Sequence, residues 1–487
     1  MREALFLLDL LLPLAAGLLL WLCPALGKGR VRSVFVLSAL GLCFAANLAL
    51  AALGDGALWL FSIGGKLPVV LQSDALSRCF SVLVSAMWLL SGVFSLRYMA
   101  RENSPRRYYA FYLLTLFALM GVSYAGTLVT IYLFFELMTL ISVALVLHEK
   151  TPEAVAAGIK YLLYSVAGAM MGLFGVFYLA QHTAQPLFTP GGSLLPEAAG
   201  TGLCVAALFV CLLGFGVKAG MFPLHGWLPT AHPVAPAPAS AVLSGVITKT
   251  GVLCIVRVVF YVAGPAALAG TWAQSALLAL SLVTVFMGSM LAYREPVLKK
   301  RLAYSSVSQV SYVLFGLYLL QQTALEGALL HVAFHAILKD GLFLCAGAMI
   351  YQTGKTRVDD LRGIGKEMPG TMACWTVLSL GLIGVPPTCG FYSKWFLATG
   401  ALSSTTGVFT WLGPVVLLLS ALLTAGYLLP LPIRGYFPGD DVAYARREAC
   451  GTMLAPVMIL AALCLLLGLW PSLIGTPLHA IATALLP

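Results

Sequence analysis

Apolar runs, each about long enough to cross the hydrocarbon core of a bilayer, recur along almost the whole of this 487-residue chain. A spanning helix needs about 20 such residues. On that template the runs are 4–22, 31–53, 76–98, 108–123, 127–147, 154–180, 201–223, 239–262, 272–293, 299–320, 325–350, 370–398, 408–435 and 450–470, fourteen in all. The links between them are short and leave no room for a separate soluble domain. A chain crossing lipid must satisfy its own backbone, which helices do and open sheets do not, so the pattern predicts an all-α polytopic membrane protein. With 60% hydrophobic and 9% charged residues, a soluble enzyme, a disordered tail and a fibrous protein are excluded. The first run is too long for a signal-peptide core and lacks a small-residue cleavage site, so it reads as a retained helix.

The net charge of +10 would suggest nucleic acid in a soluble protein; here its placement along the chain argues against that partner. Basic residues of membrane proteins gather in cytoplasmic loops. With the N-terminus outside, the loops after odd-numbered runs hold nineteen of the 28 Lys and Arg, among them Lys28, Arg106, Lys150, Lys299, Lys300, Arg301, Lys355 and Arg446. The opposite side holds Arg2 and Lys66, with Arg78 and Arg257 near outer helix ends. Both termini are therefore expected outside. Asp74 and Arg78, four residues apart at an outer helix end, look like a local ion pair. The 11 Cys lie mostly inside apolar runs without any C-x-x-C spacing, and read as small buried hydrophobes.

Five lysines fall inside or at the edge of the runs: Lys160, Lys218, Lys249, Lys339 and Lys394. The acids at that depth are Glu136, Asp340 and, near one end, Asp9. Each charge near the bilayer centre costs on the order of 3 kcal/mol on insertion scales, which makes such residues functional candidates. Glu136 is central in its run and suits pairing with a lysine on another helix. Lys218 lies among Gly214, Gly216, Gly220 and Pro223, and Lys394 follows Pro386, Pro387 and Gly390. Both runs should be broken, near 214–223 and 384–394, and broken helices mark ion sites in transporters. Lys249 is central in an apolar run. His331, His335 and Lys339 are spaced to share one helix face and suit a proton relay; two imidazoles are too few for a convincing metal site. Lys160 also fits a lysine snorkelling to the cytoplasmic side. Asp340, adjacent to Lys339, points away from the relay and needs another partner. The two broken runs are five apart, the seventh and the twelfth, which suggests two five-helix units in inverted order.

At these residues the sequence resembles a known family. Phe215 to Gly245, including Lys218, His225, Trp227, Pro229 and His232, together with Arg301 to Gln309, His331 to Phe343 and Pro386 to Lys394, is similar to the antiporter-like subunits of respiratory complex I, membrane-bound hydrogenases and multisubunit cation/proton antiporters. The resemblance covers about residues 70–435. It implies fourteen helices, two inverted five-helix repeats and a polar axis across the membrane centre. On it, Glu136 and Lys218 match the carboxylate–lysine pair, and Lys249 the lysine linking half-channels. His331, His335 and Lys339 match the second relay, and Lys394 a terminal lysine that is Glu in some members. Asp340 departs from the small residue expected there, and the long lateral helix of the most distal complex I subunit is lacking.

The expected organisation is three N-terminal helices (1–107), a first repeat (108–262), a second repeat (263–437) and a C-terminal helix (438–487). The expected function is a proton-translocating subunit of a redox-driven ion pump in a prokaryotic cytoplasmic membrane. It would carry no cofactor or metal of its own and work with other membrane subunits, lipid, and protons or Na⁺. Glu136, Lys218, Lys249, His331, His335, Lys339 and Lys394 would form the path, with Lys160, Asp340 and His225 secondary. Whether the subunit counts as part of an enzyme depends on its partners. The alternatives are a subunit of a Na⁺/H⁺ antiporter and, less well supported, a self-contained membrane oxidoreductase or a solute carrier.

Overall fold

The computed structural model describes residues 2–439 and 444–486; the predicted C-terminal segment 438–487 therefore lies partly outside the described residues. Helices α1 (Arg2–Leu22) and α2 (Gly29–Leu53) are followed by a hairpin of β1 (Gly56–Ile63) and β2 (Leu67–Ser73), then α3 (Ala75–Tyr98). Next come α4 (Pro105–Ser123), α5 (Leu128–Val146), α6 (Pro152–Gln181), α7 (Gly202–Ala219), α8 (Leu228–Val234), α9 (Ala237–Val242) and α10 (Thr248–Val256). The second half holds α11 (Trp272–Arg294), α12 (Leu298–Tyr318), α13 (Gln322–Thr353), α14 (Ile364–Glu367), α15 (Pro369–Ile383), α16 (Cys389–Leu402), α17 (Phe409–Leu428) and α18 (Pro430–Tyr436). Helices α19 (Gly451–Leu469) and α20 (Ser472–Leu485) close the chain.

Among the described residues, 11 helical segments are long and apolar enough to cross a membrane. Helices α4 and α12 have comparable length but open on Arg106–Arg107 and Lys299–Arg301. Helices α15 and α16 are 15 and 14 residues long and follow one another across a break. The architecture is thus mostly helical and membrane-spanning. Two segments form its interior: α13, and the continuous stretch Ala237–Ala263 built from α9, α10 and two π-helical segments, Leu243–Ile247 and Arg257–Ala263. Both are buried on nearly every side, which is why neither shows the single apolar face of a surface helix. Leucines, valines and aromatics of α1, α6 and α17 such as Leu18, Leu163, Phe174, Trp411 and Leu418 face outward, as a lipid or partner-facing surface requires.

The structure corrects the sequence expectation in four places. The chain is not purely helical, because Leu58 to Phe61 and Val69 to Leu71 pair antiparallel about a Gly64–Gly65 turn with φ of 58° and 71°, values that glycine adopts without strain. This hairpin is tied to the start of α5, where the Val70 amide donates to Thr130 Oγ1 (2.9 Å) and Thr127 Oγ1 donates to Pro68 O (2.9 Å). The first break lies at 220–227, since Gly214 sits inside α7, where a Cβ would come 2.4 Å from Gly168 O of α6; that glycine serves close helix packing, and Gly220, at φ 80°, ends the helix. The second break is confined to 384–388. Lastly, Asp74 does not pair with Arg78. It caps α3, accepting from the Ser77 amide at 2.8 Å, and holds Arg257 through both carboxylate oxygens, while Arg78 pairs with Asp55.

The Arg257–Asp74 bridge ties α3 to the inner stretch Ala237–Ala263. Removing one partner of a buried pair strands the other, at about 3–5 kcal/mol, so Asp74→Ala should lower the melting temperature of the purified protein, whereas Arg78→Ala should barely move it. Burial pushes the Asp74 carboxyl up, but Arg257 and the Ser77 hydrogen bonds outweigh it and hold the group below its ordinary value. A carboxylate depressed on folding contributes fully above its unfolded pKa, about 4. The bridge should therefore stabilise fully at neutral pH, begin to weaken as pH falls through about 4, and be lost below the lower folded value, which melting curves between pH 3 and 7 will begin to show.

Candidate functional site

An ammonium group buried among helices has three protons to place, while helix interiors have already used their carbonyls. Lys218 occupies the last turn of α7 and meets the demand with hydroxyls. Its Nζ donates to Thr139 Oγ1 of α5 (2.9 Å), Tyr161 OH of α6 (2.6 Å) and, more weakly, Ser165 Oγ (3.4 Å). Tyr161 also presents its ring face to the ammonium, 4.3 Å from the centroid, a favourable cation–π placement. The backbone-close crossing of α6 and α7 at Gly168 and Gly214 puts Tyr161 and Ser165 within reach. Glu136 lies one turn before Thr139 on α5, half-buried, with Oε1 free of any hydrogen bond. No ion pair within 4 Å joins it to Lys218; the two act on each other only through their charges.

Lys160 and His225 come together at the first break. Lys160 Nζ lies 5.9 Å from the Tyr164 ring, and a Cβ at Gly226 would fall 3.0 Å from Tyr164 OH and 3.7 Å from Lys160 Cε. From there the interior continues through Gly251, where a Cβ would meet Phe215 O at 2.5 Å and Lys218 Cβ at 3.1 Å. Only glycine lets α10 lie this close, and the contact sets Lys249 two residues away. The Lys249 ammonium folds back on the π-helical turn, donating to Ser244 O at 2.5 Å and weakly to Thr248 Oγ1 at 3.4 Å. π-Turns of this kind recur at functional sites because they disturb the regular backbone ladder.

On α13 two imidazoles of the expected stripe lie against each other. The rings of His331 and His335 stack at 5.8 Å, Tyr312 stacks on His331 at 5.6 Å, and His331 Nδ1 bonds Ser393 Oγ of α16 at 2.9 Å. Both nitrogens of His335 are buried without a protein partner, and its ring lies in the field of Lys249, Lys339 and Lys394. Lys339 donates to Leu302 O of α12 at 2.9 Å. Lys394, near the start of α16, reaches back over the second break to Leu382 O (2.6 Å) and Ile383 O (2.9 Å), the freed carbonyls at the end of α15. That is where the helix dipole favours a cation. Gly390 makes the return possible, since a Cβ there would sit 1.9 Å from Gly381 O.

Sequence reasoning missed one lysine. Lys299, counted with the cytoplasmic loop charges, is buried at the start of α12 and donates to Pro233 O (3.0 Å) and Ala235 O (2.5 Å), which end the broken half-helix α8. Its place in a Lys-Lys-Arg run hid it. Thr139, Tyr161 and Ser165 were also overlooked, although Tyr161 and Ser165, four apart on an apolar helix, share one face.

The description "NADH:quinone oxidoreductase/Mrp antiporter, TM" belongs to a family model that matches residues 125–423. NADH-quinone oxidoreductase subunit N of Desulforudis audaxviator is 34% identical over 483 residues, covering 95% of each chain. F(420)H(2) dehydrogenase subunit N of Methanosarcina mazei is 28% identical over 486 residues, covering 97% of each. In fold, the chain superposes with a TM-score of 0.87 on a chain of the membrane-bound sulfane sulfur reductase, an archaeal respiratory membrane complex, at 21% identity over 99% of this chain and 98% of that one.

Freeing two carbonyls from a charged donor should cost about 1.5–3 kcal/mol per bond at most. Lys299→Met should therefore lower the melting temperature of the solubilised protein, and Lys299→Arg should recover most of the loss.

Proposed function

Because the chain belongs to the NADH:quinone oxidoreductase/Mrp antiporter transmembrane family, we propose that it is the proton-translocating membrane subunit of a redox-driven ion pump. The observation that carries this reading is the series of ionisable side chains inside the spanning segments or at their breaks, from half-buried Glu136 through Lys218, Lys249, His335 and Lys339 to half-buried Lys394. Charges are expensive inside a bilayer, and the two groups proposed as the ends of the series, Glu136 and Lys394, are its half-buried members. Lys218 acts as the switch. While it rests on Thr139, Tyr161 and Ser165 it is detached from Glu136; engaging the carboxylate would favour its charged form and releasing it would expel a proton. The proton then passes by Lys249 and the imidazoles to Lys339 and Lys394, with water bridging His335, whose nitrogens have no protein partner. His331, fixed by Ser393, sets the ring stack between the two lysines.

The proposed frame has fourteen crossings: the 11 long apolar segments, α4, α12, and α15 with α16 as one broken crossing. Two five-helix repeats, 108–262 and 263–437, are flanked by 1–107 and 438–487, with both termini outside a prokaryotic cytoplasmic membrane. The redox reaction driving the pump takes place on partner subunits, which contact the lateral faces where Glu136 and Lys394 end the series. The names of the two relatives above are those of redox complexes, which favours this drive over the ion-gradient drive of an Mrp-type antiporter. Proteoliposomes holding the assembled complex separate the two. Redox drive requires a pH gradient that appears only with electron donor and acceptor, whereas a gradient evoked by Na⁺ alone would establish the antiporter reading.

Replacing Glu136 with Gln in the assembled complex should lower proton pumping by about 10²-fold, the scale for losing a positioned proton-transfer group, and Glu136→Asp should restore part of it. Unchanged pumping in Glu136→Gln would refute the switch.

A further inference from the structure

The series described above leaves Asp340, a fully buried carboxylate, unused. Asp340 follows Lys339 on α13 and so points about 100° away from it around the helix. The two side chains part company accordingly: Lys339 turns to Leu302 O of α12, and Asp340 turns toward α3 and the inner stretch Ala237–Ala263. Ser91 of α3 donates to Asp340 Oδ2 at 2.8 Å. The other oxygen, Oδ1, is buried and has no hydrogen bond. It is aimed at the π-helical turn, where a Cβ on Gly245 would stand only 2.6 Å from it.

Lys249 meets the same turn, with its ammonium on Ser244 O, the carbonyl next to Gly245. The remaining titratable groups facing Asp340 are few. Tyr112 of α4 feels its charge but spends its hydroxyl proton on Trp88 O at 2.7 Å. Lys339 on its own helix faces away. Lys249 is the cation that acts on Asp340, and Asp340 is the anion that acts on Lys249. A carboxylate oxygen without a donor, aimed at the turn that also holds an ammonium on a flexible four-carbon stem, is an incomplete pair at a depth where unpaired charge is costly.

We propose that Asp340 is the proton-exchange partner of Lys249, giving this chain a second acid–base pair beside Glu136 and Lys218. The Lys249 side chain swings from Ser244 O past the bare Cα of Gly245 to Oδ1. An Nζ–H bond then breaks with its electron pair left on nitrogen, and an Oδ1–H bond forms. An ammonium and a carboxylate become an amine and a carboxylic acid, with no co-reactant and no net charge change. Ser91 holds Oδ2 throughout, so the carboxyl does not rotate away. The pair stores a proton beside the link between the two halves, and returns it when Lys249 is needed in its charged form. This inference rests on Lys249 lying in the proton path proposed above.

The test uses the assembled complex in proteoliposomes, with a pH-sensitive dye for pumping and infrared difference spectra for protonated carboxyl groups. Asp340→Asn keeps an oxygen for Ser91 but cannot exchange a proton. It should lower pumping by roughly 10²-fold, and Asp340→Glu should recover part of it. A turnover-dependent carboxyl C=O band should be present in the native complex and absent from both Asp340→Asn and Lys249→Met. Normal pumping in Asp340→Asn overturns the inference. So does a band that persists in Lys249→Met, which would mean that Asp340 titrates without this lysine. Glu136→Gln distinguishes the two readings. Lost pumping there beside normal pumping in Asp340→Asn sinks only the Lys249–Asp340 pair, whereas normal pumping in Glu136→Gln sinks the axis itself.

Discussion

Placing the protons of buried ammonium groups is the demand around which this molecule is built. A regular helix offers a lysine nothing, because its carbonyls are already bonded along the ladder. The chain answers by making backbone irregular where a lysine must rest. Lys394 takes the freed carbonyls Leu382 O and Ile383 O at one break, Lys299 takes Pro233 O and Ala235 O at the end of α8, and Lys249 takes Ser244 O in a π-turn. Two lysines depart from this: Lys339 takes Leu302 O inside α12, and Lys218 is held by the hydroxyls of Thr139, Tyr161 and Ser165. Hydroxyls accept and donate with little reorientation, which suits a group that must change partner and charge state.

Close backbone approach is the second device, and it serves the first. Gly168 against Gly214, Gly251 against Phe215 and Gly390 against Gly381 leave less than 3 Å for a side chain at each crossing. Small-residue contacts are a common way for helices to associate in lipid. Here the first and the third also bring a charged residue within reach of its acceptor, Lys218 and Lys394, and the second packs α10 against Lys218, two residues from Lys249. The aromatic rings of Tyr161 and Tyr312 then cover two of the ammonium groups, at 4.3 and 5.1 Å.

Much of this was legible in the sequence. Helix positions followed from apolar length, and the buried charges stood out because charge is scarce in the chain. Lys218, Lys249, the His331–His335–Lys339 stripe and Lys394 were identifiable from depth and spacing alone. What stayed hidden were the partners. Asp74 was expected to pair with Arg78, its helix neighbour, yet it pairs with Arg257, 183 residues away. Lys299 looked like a loop charge because the half-helix that buries it is distant in sequence. The hairpin at 56–73 and the last helix, α20, fell between or after the apolar runs and were too short to register.

The sequence by itself therefore determined which segments enter the membrane and which residues carry charge there, since both depend on transfer free energies that each residue contributes locally. Only the tertiary structure decided where each proton is held, at which residue each helix breaks, and that Asp340 and Lys249 share one turn of backbone. Those outcomes depend on which helices touch, and contact distances of a few ångströms between remote segments leave no periodic trace along a chain.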